Sequence, residues 1–241
     1  MKPEIIVPYD AGQMSANFKK AQERITESKS YKDLSTVIIT PTRGGRSLCP
    51  RFVSSVMGIM RPMNQQVCGP IFMSGMEVGA AFNSAFEMIL NHPQLSKFKY
   101  VFTLEDDNIV QPDILLKLYE NIEKFDILGS LYFTKGEAGQ PMIYGDPNIQ
   151  PLNFIPQFPV QDAIQRCNGT GMGATMFKLS LFRKIPPPWF ETKQEWSPNE
   201  GGKCYTQDLW FNEKVIRNGG RIAVDTRVKT GHLDIESGIL W

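Results

Sequence analysis

Three acidic side chains in a row, Glu105-Asp106-Asp107, follow directly on the apolar run Tyr100-Val101-Phe102-Thr103-Leu104. Such a run suits a strand buried on both faces. Three adjacent carboxylates would repel one another in an interior. They are tolerable at the end of a strand, where an α/β sheet opens into its ligand crevice. Two readings stand side by side. One is an acidic turn leading through Asn108 and Pro112-Asp113 into a helix; the other is a set of hard oxygen ligands for Mg²⁺ or Mn²⁺, which bridge to phosphates. Asp208 also has two readings: a dipole-friendly acid in the first turn of a helix, or a base aimed into the crevice. His232 follows a glycine just beyond an expected strand, as a structural residue or as a borderline ligand for Mn²⁺. Pro41-Thr42-Arg43-Gly44-Gly45 breaks the run Val37-Ile38-Ile39-Thr40. It is either an ordinary strand-to-helix turn or the start of a nucleotide site, with backbone at Thr40 and Thr42 meeting a base edge and Arg43 a phosphate. Neither a GxGxxG nor a Walker pattern is present.

The elements that must position these residues come from 241 residues, enough for a sizeable core. The charged fraction is 21% and the hydrophobic fraction 41%, as in ordinary globular proteins. A net charge of +1 gives no general grip on nucleic acid or anionic membrane. Cys49, Cys68, Cys167 and Cys204 have no CxxC spacing, which argues against a zinc ribbon and for free thiols in a reducing compartment. No apolar run is long enough to span a bilayer, and the first residues lack the pattern of a signal peptide. A cytoplasmic protein is expected.

The spacing predicts an N-terminal extension over 1–35 with a mostly polar helix over 15–29, then a single domain over 36–241. Helices are expected over 51–59, 77–91 and 112–124, and strands over 35–40, 66–73, 100–104 and 126–133. In the second helix Val78, Ala81, Phe82, Ala85, Phe86 and Ile89 share one face, with Asn83 and Ser84 off it. His92-Pro93 ends that helix, with His92 as a surface or capping residue. The alternation of strand and helix implies a largely parallel sheet wrapped by helices. Residues 135–166, rich in glycine and proline, break the rhythm as a binding loop or lid, with a short strand over 142–144. Gly169-Thr170-Gly171-Met172-Gly173 allows close backbone approach to a ligand, or is a bulged strand. Trp189 and Phe190, after Pro186-Pro187-Pro188, stack on a sugar or pack under a loop. Residues 191–204 are expected to be polar and mobile. Thr206 caps a helix running to Asn218, stopped by Gly219-Gly220, and a final strand spans 221–225.

The order of these pieces resembles a glycosyltransferase of the GT-A fold, close to the large family 2 class, over about Thr36 to Asp234. Val37 to Arg43 resembles the nucleotide-base strand, and Glu105-Asp106-Asp107 the DxD motif with glutamate first. Gly169 to Ala174 resembles the glycine-rich strand beneath donor sugar and acceptor. Thr206-Gln207-Asp208 with Leu209-Trp210-Phe211 resembles the ED motif, with glutamine for glutamate, and Gly231-His232 the C-terminal metal histidine.

The resemblance implies a GT-A (Rossmann-like) single domain with an irregular acceptor-side region. It implies transfer of one sugar from a nucleotide-sugar donor, most simply a UDP-sugar, to an acceptor hydroxyl with inversion. Thr40, Pro41 and Thr42 would hold the base, Asp106 the ribose and Arg43 the diphosphate. Asn83, Glu105 and Gly171 are also assigned to the donor. Asp107 and His232 would bind Mn²⁺ or Mg²⁺, and Asp208 would be the general base. A retaining transferase, a sugar-nucleotide nucleotidyltransferase and a nucleotide-sugar-binding module without turnover remain open. The acceptor is open too: saccharide, lipid-linked sugar, protein side chain or modified base.

Overall fold

Alternation along the first strand sets the layers. In β1 (Thr36–Thr42), Val37 and Ile39 face one core and Ile38 the other. In β3 (Tyr100–Leu104), Val101 joins the first core, while Tyr100, Phe102 and Leu104 join the second. Side chains alternate across a sheet, so both faces of this one must be covered, and near-continuous apolar strands are the result. The computed structural model describes residues 32–44, 47–198 and 201–241. The helix expected over 15–29 lies outside the described residues.

The elements that follow β1 are α1 (Pro50–Met57), β2 (Val67–Ser74), α2 (Val78–Asn91), β3, β4 (Asn108–Ile109), α3 (Ile114–Tyr119), β5 (Ile127–Leu131), β6 (Ile143–Tyr144), β7 (Ile164–Cys167), β8 (Gly169–Thr170), β9 (Ala174–Lys178), α4 (Leu179–Lys184), β10 (Lys193–Ser197), β11 (Gly201–Tyr205), α5 (Gln207–Arg217), β12 (Ile222–Lys229) and β13 (Gly231–His232). The main sheet has the order β2-β1-β3-β9-β5-β12-β7. Strands β2, β1, β3, β5 and β12 run one way, and β9 and β7 run against them. The sheet is therefore mixed and mostly parallel, flanked by helices. Residues 34–241 form one compact unit. Among the described residues no helix is long and apolar enough to cross a membrane.

The face packed by α2 and α5 carries an aromatic cluster. Phe86 stacks on Phe182 at 3.6 Å between ring centroids, Phe182 stacks on Phe211 at 4.8 Å, and Phe190 lies 4.7 Å from Phe211. Trp189 and Phe190 are buried within this cluster, so of the two readings of that pair the structure gives packing. The expected helix over 112–124 is shorter: α3 stops at Tyr119, and a separate 3-10 turn covers Ile122–Lys124. Where a polar, mobile segment was expected over 191–204, β10 and β11 pair as an antiparallel ribbon. Cys49, Cys68 and Cys167 are free thiols.

Candidate active site

Parallel strands end at the same edge of a sheet, and that edge is where this chain collects its polar chemistry. The acidic triplet leaves the end of β3, Phe133 and Lys135 follow the end of β5, and His232 follows β12. The turn after β3 is pinned on both sides. The Glu105 N–H donates to the Gly173 carbonyl at 2.9 Å, and the Leu233 N–H donates to the Asp107 carbonyl at 2.7 Å. Asn108 pairs with His232 where β4 meets β13, so the acidic turn and the histidine are locked in register.

His232 is oriented by its other nitrogen. Nδ1 lies 2.8 Å from the Phe133 carbonyl, which only accepts, so Nδ1 carries a proton. Nε2 then faces Asp107 Oδ2 at 3.5 Å. To bind an ion, Nε2 would present its lone pair toward the same point as the carboxylate; without an ion, a proton on Nε2 can be shared with Asp107. A backbone carbonyl that fixes the tautomer of a ligating histidine is the usual outer partner of a metal site. The 3.5 Å separation is close to the ~3 Å between adjacent ligands of an octahedral ion with bonds of ~2.1 Å. Asp107 and His232 thus fit two positions of one divalent ion. Among the described residues no third His, Cys, Asp or Glu joins them, which leaves the other positions to ligand oxygens and water. Lys135 Nζ also reaches Asp107 Oδ2, at 2.6 Å.

The carboxyls differ in charge state. Burial, then the neighbouring Asp107, Asp208 and Asp106, push Glu105 up to about 8, so it is largely neutral at pH 7. Burial and Asp107 raise Asp106, while the Arg43 N–H and guanidinium pull it back. Burial also raises Asp107, but hydrogen bonds and charge from His232 and Lys135 outweigh it and hold that carboxyl below its ordinary value.

Asp208 is buried in the first turn of α5. Thr206 sits at the N-cap as expected, but its hydroxyl does not cap the backbone. It donates to Asp208 Oδ1, which also accepts the Leu209 N–H at 2.8 Å. Both contacts fall on Oδ1. Burial raises the Asp208 pKa, and the Thr206 and Leu209 hydrogen bonds moderate the rise.

A cleft of about 400 Å³ is lined by Pro41, Thr42, Arg43, Glu105, Asp106, Asp107 and Gln207 and by Met76 to Val78; Asp208 and His232 stand behind its lining. This is a volume that suits a small ligand. A second lobe of about 260 Å³ shares Arg43, Asp106 and Asp107 and adds Lys135 and Asp234.

Three residues assigned to the donor from sequence stand elsewhere. Thr40 is fully buried within β1 and does not line the cleft; the strand pairs two residues further than its sequence suggests, to Thr42. Gly171 is buried beneath Tyr132 and Met142, where a Cβ would overlap the Tyr132 hydroxyl. Its small size serves packing. Asn83 is turned away and clasps the loop after α4: Oδ1 accepts the Trp189 and Phe190 N–H groups at 2.9 and 3.1 Å, and Nδ2 donates to the Phe190 carbonyl at 2.7 Å. His92 is the C-cap of α2, as one of its two expected roles had it, with Nδ1 accepting from Gln94 and Leu95. Lys135 had no role in the sequence; its only signal is a cation two residues after an expected strand on the crevice edge.

The sequence matches no protein-family model and no curated protein. Solved structures do resemble the fold. A197 from STIV aligns with a TM-score of 0.57 at 16% identity, covering 86% of this chain and 92% of its own. S. aureus TarS 1-349 in complex with UDP-GlcNAc aligns with a TM-score of 0.44 at 12% identity, covering 79% of this chain and 55% of its own. At these identities the likeness is one of fold. The chain has the GT-A-like α/β fold that its motifs resemble.

Proposed function

We infer that this chain is a metal-dependent glycosyltransferase that moves one sugar from a nucleotide-sugar donor, a UDP-sugar on the resemblance, to an acceptor hydroxyl with inversion. The observation that carries this reading is the meeting of two functions on one sheet edge. Asp107 and His232 Nε2 face one another at 3.5 Å, and the buried Asp208 stands in the first turn of α5, whose Gln207 lines the same cleft.

In this reading Pro41 and Thr42 flank the base, and Asp106 takes the ribose, held by the Arg43 N–H. Asp107 and His232 would hold Mn²⁺ or Mg²⁺. The bound ion supplies positive charge that stabilises the departing diphosphate. Arg43, on the wall of both lobes, adds a second cation near the phosphates. Asp208 takes the acceptor hydroxyl proton as the oxygen forms its bond to the anomeric carbon. The sugar–phosphate bond breaks on the opposite side, and its electron pair leaves with the nucleoside diphosphate. Burial keeps water away from this base and raises its proton affinity, which suits it to the task.

Turnover of a panel of nucleotide sugars, with Mn²⁺ or with EDTA, tests the reading through the nucleoside diphosphate released. Release from one donor should vanish with EDTA and in Asp107→Ala. In Asp208→Asn it should fall ~10²–10⁴-fold with donor affinity retained, the range of a lost general base. Release indifferent to EDTA and to both substitutions would remove the metal site and the base together. Metal-dependent nucleotide binding without release from any donor, acceptors supplied, would make the chain a binding module.

A further inference from the structure

The ammonium of Lys135 and the imidazole of His232 converge on a single oxygen, Asp107 Oδ2, at 2.6 and 3.5 Å. That oxygen is the one a divalent ion would take. Lys135 and an ion therefore compete for one oxygen, because two cations this close repel strongly. The lysine has room to leave. Its loop is closed at the base, where Thr134 N–H donates to the Gln140 carbonyl and Gln140 N–H donates to the Thr134 hydroxyl. The tip turns at Gly136, with φ +106° and open space where a Cβ would stand. About a third of the Lys135 side chain is exposed, and four rotatable bonds let it swing with the backbone at rest. The space it would swing into is the 260 Å³ lobe, whose wall it shares with Arg43.

We propose that Lys135 is a displaceable counter-ion: it holds Asp107 until a divalent ion claims that carboxylate, then turns to the diphosphate of the donor. In the ligand-free protein it offsets the charge of a crowded acidic turn and keeps Asp107 aimed at His232. When the ion and donor arrive, one cation leaves the carboxylate and two anionic phosphates enter beside it. The exchange keeps every charge paired at each stage. This rests on the metal and donor reading above.

The test is Mn²⁺ affinity, read from the electron paramagnetic resonance signal of free Mn²⁺, on wild type, Lys135→Met, Lys135→Arg and Asp107→Asn. Uridine diphosphate affinity at saturating Mn²⁺ is measured in parallel by calorimetry. Lys135→Met should bind Mn²⁺ roughly tenfold more tightly, because the ion no longer displaces a charge-assisted hydrogen bond. It should bind the diphosphate roughly tenfold more weakly, for want of that cation. Lys135→Arg, which keeps the charge, should stay near wild type in both. Mn²⁺ bound by wild type and lost in Asp107→Asn, with Lys135→Met unchanged in either affinity, overturns the exchange and leaves the metal site standing. Mn²⁺ bound by neither wild type nor Lys135→Met overturns the metal site and the exchange with it.

Discussion

Replacing Asn83 with alanine separates a donor ligand from a structural clasp. The amide serves three backbone groups of the loop after α4, two N–H and one carbonyl, at 2.7 to 3.1 Å. Each hydrogen bond is worth ~0.5–1.5 kcal/mol net, and a group left dry costs ~1–3 kcal/mol. The site is half-buried, so water would reach part of it, and the loss should come to ~2–4 kcal/mol, toward the lower end of those ranges. For a domain of this size each kcal/mol lowers Tm by ~2–4 °C, so a fall of ~5–15 °C is expected. The variant should still fold, because Trp189 and Phe190 keep their places against Phe182 and Phe211. The assay pairs thermal unfolding, followed by circular dichroism, with titration of uridine diphosphate in Mn²⁺. Loss of stability with nucleotide affinity unchanged is the expected result. A variant that melts with wild type but binds nucleotide tenfold more weakly would refute the clasp and return Asn83 to the donor site.

Glu105→Gln should alter how stability responds to pH. Glu105 is raised from 4.5 to about 8, so between those values the folded state holds a proton that the unfolded state has released. Its contribution to stability is present below about 4.5 and is lost as pH rises to about 8. Melting curves of the glutamine variant should fall less steeply across that window; parallel curves would show that Glu105 titrates normally. Gly171→Ala should lower stability by ~1–3 kcal/mol, because a Cβ would push aside the Tyr132 hydroxyl that accepts the Gly173 N–H at 2.9 Å. Chemical denaturation that gives a midpoint equal to wild type would show that the site relaxes freely.

Much of the candidate site could be proposed from sequence because its signals are local. An apolar run that stops at three acids says where a strand leaves a core, and Asp208 and His232 sit beside equally plain helix-start and strand-end marks. The misplacements all depend on distant partners. Nothing near Asn83 announces a loop more than a hundred residues later that takes up its amide. Gly171 looks the same whether it makes room for a ligand or for Tyr132. Thr40, whose backbone was assigned to a base edge, lies inside the sheet, and tertiary packing decided between the two readings of Trp189 and Phe190. The rhythm of strand and helix gave the same-direction strands but not β9, whose antiparallel course depends on which gap in the sheet it fills.

That gap shapes how the chain must come together. β9 lies between β3 and β5, so β3, with all five residues buried in the finished sheet, has no neighbour on that side until a segment some 72 residues further on reaches it. At ~5–20 residues per second a ribosome takes roughly 4–14 s to deliver it. For that interval the nascent chain carries an apolar strand with an open edge, the kind of surface that seeks another copy of itself. The charged turn at its end is the nearest deterrent. The acidic turn thus sets like charges beside the open edge, where they oppose its pairing with another copy.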